Sequence, residues 1–214
     1  LHVDGIVQDV SSSKEGASIL ITSALQSEGK TTVATNLALA CASSGISTLI
    51  IDGDLRNPTV HRAFQIGREP GMAEFLLDEN GGELPIIKTE HKHLHILTAG
   101  RRIKQSTELL ASASAADLLK KLKSEYKLVI IDSPPIGIVS DAGIIASKVN
   151  KTYLVVRAGK TSRRAVERAV ETFWKLGAEI SGIIFSRFNP KSSRYLYYSD
   201  YPGYYAKYYT QDSD

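Results

Sequence analysis

The segment with the clearest chemical potential is the run Ala24-Leu25-Gln26-Ser27-Glu28-Gly29-Lys30-Thr31, which lies just ahead of an apolar-periodic helix. Gly29 lets the backbone approach phosphate oxygens, and the unpaired N–H groups of the following helix attract anions. Lys30 can reach the terminal phosphates of a nucleotide, and the Thr31 hydroxyl can ligate Mg²⁺. Ala24 replaces the first glycine of the general pattern, but the strand before and the helix after predict a P-loop. We expect the nucleotide to be bound by Gln26, Ser27, Glu28, Gly29, Lys30, Thr31 and Thr32.

Three aspartates follow apolar segments that have the composition of buried strands. Asp52 and Asp54 follow one such segment, and Asp132 follows another. The carboxyl ends of parallel strands meet at one edge of a sheet, where α/β proteins bind their ligands. Taken alone, Asp52 and Asp54 are equally compatible with a turn around Gly53. Together with Asp132 and Lys30, they predict a phosphoryl-transfer site around a Mg-nucleotide.

Short aliphatic segments alternate along the chain with longer segments of helical period, which is typical of a parallel sheet covered on both faces. The predicted strands are residues 18–22, 47–52, 94–98, 127–132, 152–156 and 180–185. The predicted helices are residues 31–44, 107–126 and 162–176. We therefore expect a doubly wound, mainly parallel α/β sheet of the P-loop NTPase type, which resembles the deviant Walker ATPases that act in partitioning and septum positioning.

The spacing of apolar residues predicts which side chains these helices bury. Cys41 continues a stripe at three- and four-residue steps, so we expect a buried thiol. The lysines at 120, 121 and 123 lie opposite a leucine stripe, and we expect them to form a solvated face. The helix over residues 162–176 is predicted to bury Val166, Val170 and Phe173.

Composition excludes several classes of protein. The chain has 214 residues, of which 43% are hydrophobic, enough for one domain with an extended core. Its net charge is only +3, which argues against nucleic acid as an obligatory partner. A single cysteine excludes an internal disulfide, and no apolar run approaches the roughly 20 residues of a membrane span. No signal peptide opens the chain. Met72 is the only methionine and the sequence begins at Leu1, so we expect a piece of a longer protein.

Three parts differ in composition: a lead-in segment at residues 1–17, the P-loop domain at residues 18–190, and a tail at residues 191–214. The tail is rich in Ser, Tyr and Gly and lacks apolar periodicity, so we expect it to be flexible. Eight of the ten tyrosines lie there: Tyr195, Tyr197, Tyr198, Tyr201, Tyr204, Tyr205, Tyr208 and Tyr209. They suit either an aromatic docking segment or a set of phosphorylation substrates, and the predicted phosphoryl-transfer site in the same chain favours substrates.

These motifs resemble those of the bacterial tyrosine kinases (BY-kinases), whose cytoplasmic catalytic domain autophosphorylates a C-terminal tyrosine cluster. The matching segments are residues 24–32, 52–61, 132–135, 140–142 and 155–159, together with the tyrosine tail. The paired acids of Asp52-Gly53-Asp54-Leu55-Arg56-Asn57-Pro58, combined with such a tail, are the most specific part of the match. The resemblance covers almost the whole chain from Ser18 and implies an ATP-dependent protein-tyrosine autokinase.

The resemblance also implies a role for each matching residue. Lys30 would bind the β- and γ-phosphates of ATP, while Thr31, Asp54 and Asp132 would hold Mg²⁺. Asp52 would act as the base towards the incoming tyrosine and would accept its proton late, because a carboxylate has a far lower pKa than a phenol. Arg157 and Ser186 would contact the nucleotide.

Partners and a location follow from the same resemblance. The tail tyrosines would be phosphorylated between subunits of a homo-oligomer, with a ring as the family's arrangement. A transmembrane polysaccharide co-polymerase or activator segment would stimulate the kinase, and a phosphotyrosine phosphatase would reverse its action. The chain would work at the cytoplasmic face of the inner (plasma) membrane and would regulate exopolysaccharide or capsule synthesis and export.

Two departures from the family pattern are visible. Members usually carry a helix with a Glu-x-x-Arg-x-x-Arg pattern ahead of the first strand, whereas residues 1–17 contain no arginine. Related nucleotidases also place an asparagine against the adenine after the last strand, where this chain has Ser186 and Arg187. The ring contact and the adenine contact are therefore left open.

Two other functions remain open at this point. A partitioning or septum-positioning ATPase would dimerise on ATP without phosphorylating protein. Such ATPases usually carry an additional lysine early in the P-loop, and Ala24-Leu25-Gln26 contains none. An adaptor that binds nucleotide structurally and docks through its tail is the third possibility.

Other charged clusters are weaker signals. His91, His93 and His95 would share one face of a strand, but without a carboxylate or thiol partner within reach in the sequence we expect surface or loop histidines rather than a metal site. The pairs Arg101-Arg102 and Arg163-Arg164 could bind phosphotyrosine or acidic lipid, although a solvated surface is favoured.

Overall fold

A computed structural model describes residues 16–78 and 82–189, whose strands form one seven-stranded sheet. The strands are β1 (Ala17–Ser23), β2 (Thr48–Asp52), β3 (Ile87–Lys88), β4 (Leu94–Leu97), β5 (Leu128–Asp132), β6 (Lys151–Arg157) and β7 (Gly182–Ser186). The helices are α1 (Lys30–Ser43), α2 (Val60–Ala63), α3 (Met72–Leu77), α4 (Ser106–Ala111), α5 (Ala113–Glu125), α6 (Asp141–Ala146) and α7 (Arg163–Lys175). The tyrosine tail and all but the last two residues of the predicted lead-in segment lie outside the described residues.

The order of the strands in the sheet is β3-β4-β2-β5-β1-β6-β7. Only β3 runs antiparallel to its neighbour, and every other pair is parallel. Helical crossovers between successive strands return the chain to the same edge, which makes those strands parallel. The predicted fold class is confirmed, and the six predicted strands are all present with bounds within two residues.

The core lies on both faces of the sheet. Leu20 of β1 packs into one apolar cluster, while Ile19 and Ile21 pack into the cluster on the other face with residues of α1. All residues of β2 and β5 are buried, as expected for aliphatic strands without polar alternation. Cys41 is fully buried on α1, as predicted, and burial raises the pKa of its thiol to about 11.

The prediction of a single helix over residues 107–126 is wrong, because two helices occupy this stretch. Ser112 separates α4 from α5 and adopts an extended conformation with φ −61° and ψ 158°. Its hydroxyl accepts a hydrogen bond from the Ala115 N–H at 3.2 Å, which caps the start of α5. Serine is a preferred N-cap residue, so the signal for this break is present in the sequence.

Two smaller differences from the prediction concern a short additional strand, β3, and the exposure of Val170 on α7. Strand β3 is only two residues long, too short to be predicted from periodicity. Val170 of α7 is 43% exposed rather than buried, whereas Phe173 is fully buried. Val170 lies at the margin of the stripe formed by Ala169 and Phe173, the two buried residues of α7.

The remaining surface agrees with the predicted solvated lysine face in part. Lys120 and Lys121 are exposed, while Lys123 is half-buried.

Across residues 16–78 and 82–189, no helix has the length and apolar character needed to cross a membrane.

Candidate active site

The loop between β1 and α1 has a conformation suited to surrounding phosphate oxygens. Gly29 directly precedes α1 with a φ of +92°, in the left-handed region that glycine adopts without strain. Because α1 begins at Lys30, the first N–H groups of the helix have no partner within the helix itself. The structure thus places the predicted P-loop between a strand and a helix N-terminus, as the sequence indicates.

Glu28 holds this loop from within and does not line the cavity above it. Its side chain is buried, with Oε2 accepting from the Leu25 N–H at 2.8 Å and Oε1 accepting from the Thr161 hydroxyl. The carbonyl of Glu28 accepts a hydrogen bond from the Ser186 hydroxyl at 2.5 Å. Ser186, predicted beside the nucleotide, therefore contacts the P-loop directly. The segments after β6 and at the end of β7 together hold the loop in shape.

Lys30 lies between two carboxylates at the carboxyl edge of the sheet. Its Nζ is 3.6 Å from Asp54 Oδ2 and 3.8 Å from Asp132 Oδ1. The Thr31 hydroxyl donates to Asp132 Oδ2 at 2.6 Å and lies 2.9 Å from Thr59 Oγ1. The structure therefore brings Lys30 and Thr31 together with Asp54 and Asp132.

The oxygen atoms of this cluster fit a magnesium ion. Asp132 Oδ1 is buried and accepts no hydrogen bond from the described residues. Burial raises the pKa of Asp132, while Lys30 and the Thr31 hydroxyl oppose the rise. Mg²⁺ prefers oxygen ligands and usually takes only one or two carboxylates from the protein, with substrate phosphates and water completing its shell. Thr31, Asp54 and Asp132 offer that set.

Asp52 is fully buried beneath the loop that follows β2. Its Oδ2 accepts hydrogen bonds from the Thr59 and Val60 N–H groups, both at 2.9 Å, while Oδ1 accepts only a longer bond of 3.3 Å from the Asp54 N–H. Burial, and then the neighbouring Asp132 carboxylate, raise the pKa of Asp52 well above its usual range. Asp52 does not line the cavity that Asp54 lines.

Gly53 allows β2 and β5 to approach closely behind these acids. Its N–H donates to the Asp132 carbonyl at 2.7 Å, and a Cβ at this position would lie 2.9 Å from the same oxygen and 2.9 Å from Ile131 Cγ2. Asp54 Oδ1 accepts from the Asn57 N–H at 2.9 Å, which turns the chain back over the site. A larger residue than glycine would separate the two acidic strand ends.

A cavity of about 630 Å³ opens above the P-loop, within the range of small-molecule sites. The predicted residues that line it are Gln26, Ser27, Gly29, Lys30, Thr31, Thr32 and Asp54. The residues that line it without a predicted role are Arg56, Asn57, Thr59, Pro134, Pro135, Ile138, Val139 and Arg187. Except for Arg187, these residues lie in the segments 52–61 and 132–135 or directly between the segments 132–135 and 140–142. The matching motifs therefore already indicate this part of the cavity lining.

Arg157, which is predicted to contact the nucleotide, does not line the cavity, whereas Arg187, for which no role is predicted, does. Arg157 ends β6, where its backbone N–H donates to the Thr161 hydroxyl at 3.1 Å, and it does not line the cavity. Arg187 follows β7 with a φ of +53° and does line it. A residue just after β7, rather than one at the end of β6, therefore borders the P-loop cavity.

A second cavity, of about 640 Å³, lies at the opposite edge of the sheet. Gly16, Lys120, Lys123 and Lys127 are among the residues that line it. It contains none of the P-loop residues or aspartates discussed above, so the carboxyl edge remains the candidate active site.

The three histidines do not come together as a metal site. His91 is exposed, and His95 Nδ1 lies 2.8 Å from the Tyr126 hydroxyl, with the two rings edge to face. Burial and then Lys88 lower the pKa of His95. No group of three or more His, Cys, Asp or Glu side chains suited to a metal occurs within residues 16–78 and 82–189.

Comparisons with known proteins agree with the geometry. A family model described as an AAA domain matches residues 19–178. The tyrosine-protein kinase YwqD of Bacillus subtilis (strain 168) is 35% identical over 193 residues, covering 90% of this chain and 81% of that protein. The crystal structure of the chimerical protein CapA2B2 superposes with a TM-score of 0.79 at 34% identity, covering 87% of this chain and 82% of that one.

A more distant likeness concerns the fold alone. The cell division ATPase MinD of Pyrococcus furiosus superposes with a TM-score of 0.69 at 23% identity, covering 83% of this chain and 74% of that one. The CapA2B2 structure at 34% identity and the MinD structure at 23% thus share the architecture of this chain.

Proposed function

This chain belongs to the family of bacterial tyrosine-protein kinases, and we propose that it transfers the γ-phosphoryl group of ATP to tyrosines of its own C-terminal segment. One observation carries the proposal. Lys30 and Thr31, at the end of the P-loop, lie beside Asp54 and Asp132 in an arrangement suited to phosphate and Mg²⁺, and the same chain has eight tyrosines between positions 195 and 209.

The position of each side chain supports a distinct role in binding ATP. Lys30 Nζ would exchange its contacts with Asp54 and Asp132 for oxygens of the β- and γ-phosphates. Thr31, Asp54 and Asp132 would hold Mg²⁺, which neutralises the charge that develops on the transferred phosphoryl group. Glu28 keeps the loop in the shape that presents its N–H groups, because its buried carboxylate is bonded on both oxygens.

We assign acceptance of the tyrosine proton to Asp52. Its Oδ1 has a single long hydrogen bond and so retains lone pairs for the acceptor hydroxyl, while Oδ2 is held by two backbone N–H groups. A raised pKa brings the carboxylate closer to a phenol in basicity, although it remains the weaker base. The proton therefore moves to Oδ1 late, as the tyrosine oxygen bonds to phosphorus. Because Asp54 lines the cavity and Asp52 does not, the loop carrying Asp54 must shift to admit the hydroxyl.

We further propose that the protein works as a homo-oligomer at the cytoplasmic face of the plasma membrane. A transmembrane activator would stimulate it, a phosphotyrosine phosphatase would reverse its action, and the tail's phosphorylation would regulate exopolysaccharide or capsule synthesis and export. The family resemblance supports these assignments.

Incubation of the purified chain with Mg-ATP, followed by mapping of phosphotyrosine by mass spectrometry, tests the function. We expect phosphate on tyrosines between positions 195 and 209. Lys30→Met should reduce the signal by about 100-fold or more, because the charge that stabilises the transferring phosphoryl group is removed. Lys121→Met, which removes an exposed lysine from α5, is the matched control and should keep full activity.

Two outcomes would favour the other functions. Release of phosphate without phosphotyrosine would indicate an ATPase switch. Nucleotide binding with no turnover, even after addition of an activator's cytoplasmic segment, would indicate an adaptor.

A further inference from the structure

Arg56 lies at the rim of the cavity and is anchored there by a buried carboxylate. Its Nε donates to Asp141 Oδ2 at 3.3 Å, and its Nη2 donates to the Thr107 hydroxyl at 3.2 Å. Asp141 is fully buried, and its two oxygens also accept from the hydroxyls of Ser106 and Thr107, both at 2.5 Å. Helices α4 and α6 therefore set the orientation of the Arg56 guanidinium group.

This anchoring leaves most of the donors of Arg56 available. A guanidinium group carries five N–H donors, and the contacts with Asp141 and Thr107 use two of them. The Arg56 side chain is 38% exposed and lines the same cavity as Lys30 and Thr31. A preoriented guanidinium loses little conformational freedom when it binds an oxyanion.

A second arginine reaches the same rim from the loop after β4. The Ile103 N–H donates to the Leu55 carbonyl at 3.0 Å, which joins this loop to the segment that carries Arg56. Arg102 Nη2 lies 3.5 Å from the side-chain oxygen of Asn57, and Asn57 lines the cavity. Arg102 is exposed, so its remaining donors can reach a ligand at the rim.

The carboxylates near this rim already have partners. Asp54 faces Lys30, and Asp141 faces Arg56. Glu74 accepts from the backbone N–H groups of Gly71 and Arg101, both at 2.8 Å. None of these three acids forms an ion pair with Arg102.

We propose that Arg56 and Arg102 form a phosphotyrosine-binding site beside the acceptor position, so that a tail already phosphorylated once is bound more tightly for its next phosphorylation. This inference rests on the proposed function, because it takes the tail tyrosines as acceptors. Guanidinium groups match phosphate oxygens in geometry and charge. Three tyrosine pairs in the tail are adjacent in sequence, at positions 197–198, 204–205 and 208–209, so a modified residue stands directly beside an unmodified one.

Binding of two peptides to the full chain tests the site. Both peptides span residues 195–209 and carry a fluorescent label, and one has phosphotyrosine at position 205. Mg-ADP is present, so that binding is measured by fluorescence anisotropy without phosphoryl transfer. We expect the phosphopeptide to bind with a Kd about tenfold lower, the effect of one charge-assisted pairing.

Two variants test whether Arg56 and Arg102 cause the preference for the phosphopeptide. Arg102→Ala should reduce it to less than about threefold, since one of two guanidinium groups is lost. Arg56→Lys should also reduce it, because an ammonium group cannot maintain the paired contacts to Asp141 and Thr107. Arg168→Ala, which removes one exposed arginine from α7, should bind both peptides as the unaltered chain does.

Three results would overturn the site. The first is that the two peptides bind with equal Kd values. The second is that the preference for the phosphopeptide persists in both Arg102→Ala and Arg56→Lys. The third is that the chain binds phosphatidylserine vesicles in an Arg102-dependent way and shows no preference for the phosphopeptide. The kinase activity is measured separately. A chain that prefers the phosphopeptide but forms no phosphotyrosine from ATP would contradict the proposed function and leave the binding site in place.

Discussion

At the scale of single residues, Asp52 and Asp54 acquire different surroundings although only Gly53 separates them. Asp54 lines the cavity with its Oδ2 3.6 Å from Lys30 Nζ. Asp52 is buried and accepts backbone N–H groups from Thr59 and Val60. Asp54 is thus placed to hold a metal ion in the proposed mechanism, whereas Asp52 orders the loop and would offer its Oδ1 to the acceptor hydroxyl.

We expect Asp52→Asn to slow tyrosine phosphorylation by about 100-fold, the usual contribution of a general base. The amide oxygen can still accept the N–H groups of Thr59 and Val60, but an amide cannot take up the tyrosine proton. The KM for ATP should remain within about twofold, because the ATP-binding cluster is unchanged. Initial rates of phosphotyrosine formation at varied ATP concentration provide the measurement.

Asp52→Ala serves as the comparison, because it removes the loop contacts as well as the base. An Asn variant as active as the unaltered chain, beside an inactive Ala variant, would show that Asp52 orders the loop and takes no part in proton transfer.

The sequence predicts the residue types of the site better than their orientation. Lys30 and Thr31 are adjacent in the chain and bind from one helix turn, so their proximity follows from local spacing. The inward turn of Glu28 depends on Leu25 and on Thr161, which is more than a hundred positions away. The appearance of Arg187 in the cavity likewise depends on where β7 ends.

At the scale of secondary structure, Ser112 decides where one helix ends and the next begins. Its hydroxyl caps α5, and α4 carries the Ser106 and Thr107 hydroxyls that bind Asp141. If α4 and α5 formed one continuous helix, the Ser106 and Thr107 hydroxyls would have a different position relative to α6. The break therefore contributes to the placement of Arg56.

We expect Ser112→Ala to lower the free energy of unfolding by about 1 kcal/mol, the usual cost of losing an N-cap. The Ala115 N–H would lose its partner at the start of α5. Urea denaturation followed by circular dichroism measures the change, and Ser114→Ala, at an exposed position on the same helix, is the control. A loss of stability no larger than that of the control would show that the cap contributes nothing.

Helices and strands could be predicted where the sequence has a long periodic pattern. They could not be predicted where packing against other elements determines whether a segment is a strand or whether a side chain is buried. The six main strands follow from aliphatic runs, because such runs are stable only when both faces are covered. The two-residue β3 exists only because β4 offers it a free edge. Val170 is 43% exposed at the margin of the buried stripe of α7, although the helical period predicts it on the buried face.

At the scale of the whole molecule, the distance between active site and tail places little restriction on which subunit is phosphorylated. The segment from residue 190 onward would span about 65 Å over 20 extended residues, compared with a radius of gyration of about 17 Å for a domain of this size. Both its own site and that of a neighbour lie within reach. Chain length alone therefore does not decide between the two.

We expect phosphorylation to pass between chains. When Lys30→Met chains with an intact tail are mixed with active chains ending at residue 189, phosphotyrosine should appear on the Lys30→Met chains. Its initial rate should rise with the concentration of both species, as an intermolecular reaction requires. Absence of this signal, together with a first-order rate for the full active chain on dilution, would establish phosphorylation within one subunit.

By itself, the sequence determined that this chain contains a P-loop on a mainly parallel α/β sheet, because contiguous motifs and strand composition are local properties. It also determined which residue types could bind phosphate and magnesium. Only the tertiary structure decided how those residues pair. The contacts of Thr31 with Asp132 and of Arg56 with Asp141 join positions 101 and 85 residues apart. Such contacts depend on strand order and close packing at Gly53, which no local pattern specifies.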